Sequence, residues 1–176
     1  MLRTCLCLVL GGLLSGSLAP LRGADAVWKA GAASTKITPE QSLWMAGYAS
    51  RTKPSEGVAQ DLFAKALAIS DAGDRKVVFL TLDLIGVPRT LRESLAAKLQ
   101  QKHGLPTEAL LMNASHTHCG PELRGSRITV NPGEDAKALN MAYAVELEQK
   151  LFETVERALA DLAPAKLGYS HARCGF

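Results

Sequence analysis

The sequence has no run of five like charges, few aromatic residues and few cysteines. Its 20 Lys and Arg stand against 17 Asp and Glu, a formal net charge of +3 spread thinly along the chain. Phosphate backbones are bound by cations clustered on one face, so this distribution carries no footprint for nucleic acid. The four cysteines are too few and too unevenly placed for a disulfide scaffold. Beyond the N-terminal segment no stretch approaches the about 18 consecutive apolar residues of a membrane span. Internal repeats and low-complexity tracts are missing as well. Hydrophobicity is not: 47% apolar and 21% charged residues are the proportions of a folded globular protein. A length of 176 residues fits one domain around one core.

Residues 1–26 read as a secretory signal peptide. Met1-Leu2-Arg3 supplies a positive start, Thr4 to Leu14 is almost wholly apolar or small, Ser15 to Ala19 turns to small residues, and Ala24 and Ala26 make a small-x-small cleavage site. The apolar core is too short to span a bilayer comfortably. Cleavage after Ala26 leaves residues 27–176 as the mature, exported chain. Cys5 and Cys7 leave with the signal; Cys119 and Cys174 remain in a compartment that permits disulfides.

The mature chain alternates extended and helical patterns. Val27 to Thr38 is extended up to Pro39, and Gly47 to Gly57 is a long polar loop. Leu62 to Ser70 is short and followed by the turn Asp71-Ala72-Gly73-Asp74, which favours a strand. Lys76 to Ile85 is β-branched and apolar, as in a strand covered on both faces. Pro88 opens a helix with Leu91, Leu95 and Leu99 on one face, and Gly104 and Pro106 end it. Ala109 to Ala114 is a further short strand. A second helix runs from about Asp135 to Leu162 with Leu147, Leu151, Val155 and Leu159 as its buried stripe; Pro164 stops it, and Lys166 to Ala172 opens another strand. Strand–helix–strand order predicts an α/β layered domain with a mixed or partly parallel sheet and flanking helices. A layered fold seldom finishes on a bare extended segment, so the domain reads as truncated.

The chemistry gathers at His116-Thr117-His118, just past a predicted strand. Residues i and i+2 of an extended chain point to one side, so both imidazoles can converge on one ion. Ends of strands are also where open α/β sheets bind ligands. Two ordinary loop histidines would give the same pattern. The residues that follow, Cys119-Gly120-Pro121, exclude the H-x-H-x-D-H arrangement of metallo-β-lactamases. Asp83 is the only carboxylate in an apolar strand and needs a partner. It reads either as an orienting group for a site histidine or as a cap for the Pro88 helix. Cys119 reads as a small buried thiol, His103 as an exposed last-turn side chain, and His171 as a structural residue alternating with Tyr169 on a strand. Tyr48 lines a cleft or merely packs.

Five blocks then form a familiar order: Gly31 to Pro39 (GAASTKITP), Met45 to Tyr48 (MAGY), Leu62 to Ile69 (LFAKALAI), Val77 to Leu84 (VVFLTLDL) and Ala114 to Pro121 (ASHTHCGP). In this order they resemble the opening part of the catalytic domain of the neutral, non-lysosomal ceramidase family. The resemblance covers essentially all of residues 27–176. It implies a zinc amidohydrolase that cleaves the N-acyl bond of a ceramide-like lipid to sphingosine and fatty acid. His116 falls on a zinc ligand of the family, and His118 on a catalytic histidine near the scissile carbonyl.

The same resemblance implies that the remaining zinc ligands, a second histidine, a glutamate and a tyrosine, lie beyond Phe176. Many members carry Ser where this chain has Cys119. One or two histidines alone hold zinc weakly, so the chain is expected to be an N-terminal fragment of a longer enzyme, inactive alone. Two other expectations stand beside it: an exported non-catalytic binding protein on the same scaffold, and a hydrolase of other amides.

Overall fold

A computed structural model describes residues 28–128 and 133–175; the expected signal peptide at residues 1–26 lies outside the described residues. Among the described residues are five strands and two α-helices. In chain order they are β1 (Trp28–Lys36), β2 (Phe63–Ser70), β3 (Lys76–Leu82), α1 (Arg89–His103), β4 (Leu110–Ala114), α2 (Gly133–Ala160) and β5 (Ala163–Ala165). The sheet runs β4-β3-β2-β1-β5. Strands β1, β2, β3 and β5 pair antiparallel, while β3 and β4, joined through α1, pair in parallel. The sheet is therefore mixed, as the alternating pattern predicts. A tight turn joins β2 to β3, a long loop joins β1 to β2, and the parallel pair of β3 and β4 needs the helix to bring the chain back.

The core forms on one face of this sheet. Ala68, Val78 and Leu110 lie in one row across β2, β3 and β4, with Ala66 and Leu80 in the next and Ala64 and Leu82 beyond. Leu91, Leu95 and Leu99 of α1 and Leu147, Leu151 and Val155 of α2 close over these rows in a single buried cluster. Both helices thus bury the stripes that their four-residue spacing predicts. The alanines of β2 let α2 approach closely. At Gly31 the approach is closer still: a β-carbon there would fall 2.2 Å from the carbonyl oxygen of Ala158. Only a residue without one fits under the end of α2.

Two expectations are corrected. The apolar run of β3 is covered on one face, not two. Both helices lie on the same side, and Leu67, Phe79 and Leu111, paired in register across three strands, remain exposed by 41%, 40% and 44%. The last strand is Ala163–Ala165, not Lys166 to Ala172. Pro164 is tolerated there because β5 is an edge strand. Tyr169 and His171 fall in irregular chain, their rings stacked with centroids 6.5 Å apart.

Candidate active site

The parallel pairing of β3 and β4 delivers the histidine segment. The ladder continues one step past β4, where the Ser115 amide donates to the Leu82 carbonyl at 2.9 Å. His116 follows in the left-handed region at φ 60°, which histidine enters more readily than most residues. The His116 and His118 rings do converge, with centroids 5.2 Å apart and planes at 65°. A kink at His116, not plain strand alternation, brings them together.

The two imidazoles sit in opposite hydrogen-bond environments. Nδ1 of His116 lies 2.8 Å from the Ile85 carbonyl oxygen, in the turn after β3. A carbonyl only accepts, so Nδ1 carries the proton and donates, leaving the Nε2 lone pair free. Nδ1 of His118 is the one buried side-chain nitrogen or oxygen among the described residues with no partner. A proton there would be a buried donor with nothing to receive it, and orphaned donors are costly. Nε2 is therefore the nitrogen through which the His118 ring can meet a partner. Both rings thus have Nε2 as the nitrogen left to act, and that of His116 carries a lone pair.

Gly47 and Tyr48 wall the site. Both have positive φ, 75° and 48°. A β-carbon on Gly47 would stand 2.5 Å from Cγ and Nδ1 of His118. The Tyr48 ring meets the His118 ring edge-on at 4.9 Å and is otherwise 61% exposed. A bulky residue in the left-handed region costs roughly 1–2 kcal/mol, so the surrounding contacts must hold it. Tyr48 thus lines the histidine site.

Sequence patterns do not reveal what fixes this loop. Asn140 of α2 is fully buried and donates through Nδ2 to the carbonyls of Trp44 and Glu122, both at 2.8 Å. Its Oδ1 accepts from the Trp44 amide at 3.0 Å. Beside it the Ala46 amide donates to Gly120 at 2.9 Å, and Met45 bridges to Pro121. Asn140 thus ties the Gly47 loop to the segment that follows the histidines. One signal was available: position 140 is in phase with the buried stripe of α2 through Leu147 and Leu151, and a polar residue there requires partners. Glu122, also buried, receives a two-pronged contact from Arg124 at 2.7 and 3.0 Å.

Other candidates resolve differently. Asp83 neither orients a site histidine nor caps α1, whose first turn is preceded by Pro88 without a side-chain cap. Instead its carboxylate accepts from the Phe63 amide at 3.0 Å while its own amide donates to the Phe63 carbonyl at 3.0 Å. This closes the end of the β2–β3 ladder. Cys119 is an exposed free thiol, not a buried one. With Thr117, Asp83 and the loop around Leu43, it lines a cavity of about 650 Å³ that the two histidines do not line. His103 reaches from the last turn of α1 to Glu156 at 2.7 Å.

The donor set for a metal is incomplete among the described residues. No group of three or more His, Cys, Asp and Glu side chains stands close enough to hold an ion. The Nε2 lone pair of His116 fits one position of such a set. No helix among the described residues is long and apolar enough to cross a membrane.

The fold and the histidine segment define a class. Residues 28–174 match the family described as neutral/alkaline non-lysosomal ceramidase, N-terminal, and the chain belongs to that family. A neutral ceramidase of Mycobacterium tuberculosis (strain ATCC 25618 / H37Rv) is 26% identical over 132 residues, covering 72% of this chain and 20% of the relative. Two solved structures align over 80% of the chain. One, described as a ceramidase complexed with C2, gives a TM-score of 0.65 at 25% identity over 22% of its length. The neutral ceramidase from Pseudomonas aeruginosa gives 0.66 at 24% identity over 23% of its length, a likeness of fold. The chain spans about a fifth of the length of these relatives.

Proposed function

We propose that residues 27–176 form the N-terminal portion of a catalytic domain that hydrolyses the N-acyl amide of a ceramide-like lipid, exported through the signal peptide at residues 1–26. In this reading His116 is a zinc ligand through Nε2 and His118 is a catalytic group. The settings of the two rings carry it: the Ile85 carbonyl frees Nε2 of His116, and the enclosed, partnerless Nδ1 of His118 leaves Nε2 as the nitrogen that can act. Family membership supplies the reaction class.

Bound at His116, zinc would supply Lewis acidity toward the amide carbonyl. The remaining ligands are assigned to polypeptide beyond Phe176, because three or four protein donors are needed for a catalytic zinc. His118 serves the reacting amide directly. A proton held at its Nε2 can be donated to the oxygen where negative charge develops, or to the departing amine nitrogen as the C–N bond breaks. The walls supplied by Gly47 and Tyr48 keep that ring in one orientation. Met45 to Tyr48, anchored at the preceding Trp44 by Asn140, is thus part of the catalytic frame.

Zinc titration of this chain, followed by calorimetry, tests the assignment. Weak binding is expected, abolished by His116→Ala and largely retained in His118→Ala. Hydrolysis of an N-acyl sphingosine is expected only when the chain is continued by the remaining part of a catalytic domain, and is lost with either substitution. Binding that survives His116→Ala, or ceramide turnover by this chain alone, would overturn the proposal.

A further inference from the structure

We propose that Arg51 is a positioning residue for His118, a role resting on the reading of His118 as a catalytic group. Its guanidinium is half-buried over the Gly47–Tyr48 turn and reaches both sides of it. Nη2 donates to the His118 carbonyl at 2.6 Å, and Nε donates to the Gly47 carbonyl at 3.2 Å. Nη1 approaches the Met45 sulfur at 3.7 Å, and the guanidinium carbon lies 5.2 Å from the centre of the Tyr48 ring. The backbone joins in, since the Arg51 amide donates to the Tyr48 carbonyl at 3.0 Å.

These contacts converge on one mechanical problem. Gly47 and Tyr48 are consecutive residues with positive φ, and the second carries a large side chain. Asn140 anchors the stretch before them, at Trp44, but touches neither. Arg51 binds the carbonyl of the first, covers the ring of the second, and ties both to the backbone of the residue whose imidazole they enclose. A planar fork with fixed donor directions can serve two carbonyls and a ring face at once, whereas an ammonium at the same reach is a single point charge. The Nδ1 face of His118 stays closed only while Gly47 and Tyr48 remain against it. Arg51 touches neither ring nitrogen and takes no part in proton transfer. It holds the His118 ring in one orientation by keeping Gly47 and Tyr48 against it.

Proton–carbon spectra of the imidazole rings in the metal-free chain at one neutral pH test this, with His103 and His171 as internal references. In the unaltered chain the His118 ring signals should carry a ring-current displacement from Tyr48, which meets that ring edge-on at 4.9 Å. Arg51→Ala should reduce this displacement, and Arg51→Lys should fall between, with His103 and His171 unmoved in both. Unchanged His118 shifts in Arg51→Ala would overturn the proposal. So would a common drift of all four imidazoles, which would mark general loosening, or a lysine variant as impaired as alanine. Neither zinc nor ceramide enters the measurement, so failure of the amidohydrolase reading would leave its outcome intact and separately readable.

Discussion

Gly47 lies against the face of His118, so close that a β-carbon would stand 2.5 Å from the imidazole Cγ and Nδ1. Two effects oppose any side chain at this position: the clash itself, and the positive φ of 75°. Gly47→Ala is therefore expected to push the His118 ring out of its slot and to lower stability by about 1–2 kcal/mol. Urea denaturation measures the second effect. The first is read as exposure of Nδ1, through accelerated modification of His118 by diethyl pyrocarbonate. A variant that unfolds at the same urea concentration and is modified at the same rate would contradict the packing.

Asn140 gives a larger expected effect. Replacing it with Leu keeps the volume but leaves the Trp44 amide and the carbonyls of Trp44 and Glu122 without their side-chain partner. The two Trp44 groups and the Glu122 carbonyl lie in a water-poor contact between α2 and the site loop. Stranded buried polar groups cost about 1–3 kcal/mol each, and backbone contacts already present soften the total, so a loss of about 3 kcal/mol is expected. The decisive comparison is Asn140→Asp at neutral pH, which keeps the acceptor and loses both donors. It should be no better than Leu.

The periodicities of the chain are those of the structure wherever burial is one-sided and regular. Leu91, Leu95 and Leu99 lie in the core as their spacing requires, and so do Leu147, Leu151 and Val155. What the pattern cannot say is how many faces of a strand are covered. Phe79 alternates with Leu80 in an unbroken apolar run, and only the placement of both helices on one side separates them. The site divides in the same way. The two histidines are legible from their spacing, because the ligating chemistry belongs to the residue type. Their supports are not: Ile85 acts through a backbone carbonyl, Gly47 through the absence of a side chain, and Asn140 from a helix 22 residues beyond His118. Long-range backbone contacts leave no periodic trace.

Acid should loosen the contact between α1 and α2. Partial burial raises the Glu148 carboxyl, but hydrogen bonds from Lys98 and Ser94 outweigh it and hold the group below its ordinary range. Lys102, then His103, do the same for Glu156. A carboxylate with a depressed folded pKa adds stability above its unfolded value of about 4.3, and that stability is lost as pH falls through the folded value. The urea midpoint is therefore expected to change little from about pH 7 to about pH 5 and to drop as pH falls further. The double variant Glu148→Gln, Glu156→Gln should show a smaller drop. Asp61, Asp71 and Asp74, also held low by hydrogen bonds from neighbouring groups, keep part of the dependence. An undiminished drop in the double variant would remove these two groups from the explanation.

Adjacent residues of β3 should respond in opposite ways. Leu80 is fully buried under the helices, and Leu80→Ala is expected to cost about 3 kcal/mol in lost transfer energy and residual cavity. Phe79 faces the other side of the sheet, in register with Leu67 and Leu111 and 40% exposed. Phe79→Thr places a β-branched residue, itself well suited to a strand, on a surface without a covering layer among the described residues. Its cost is expected at about 1 kcal/mol or less. Urea denaturation of the two variants, compared at equal slope, measures the difference directly. If Phe79→Thr proved as costly as Leu80→Ala, the sheet would be covered on both faces in solution, and the one-sided core would have to be abandoned.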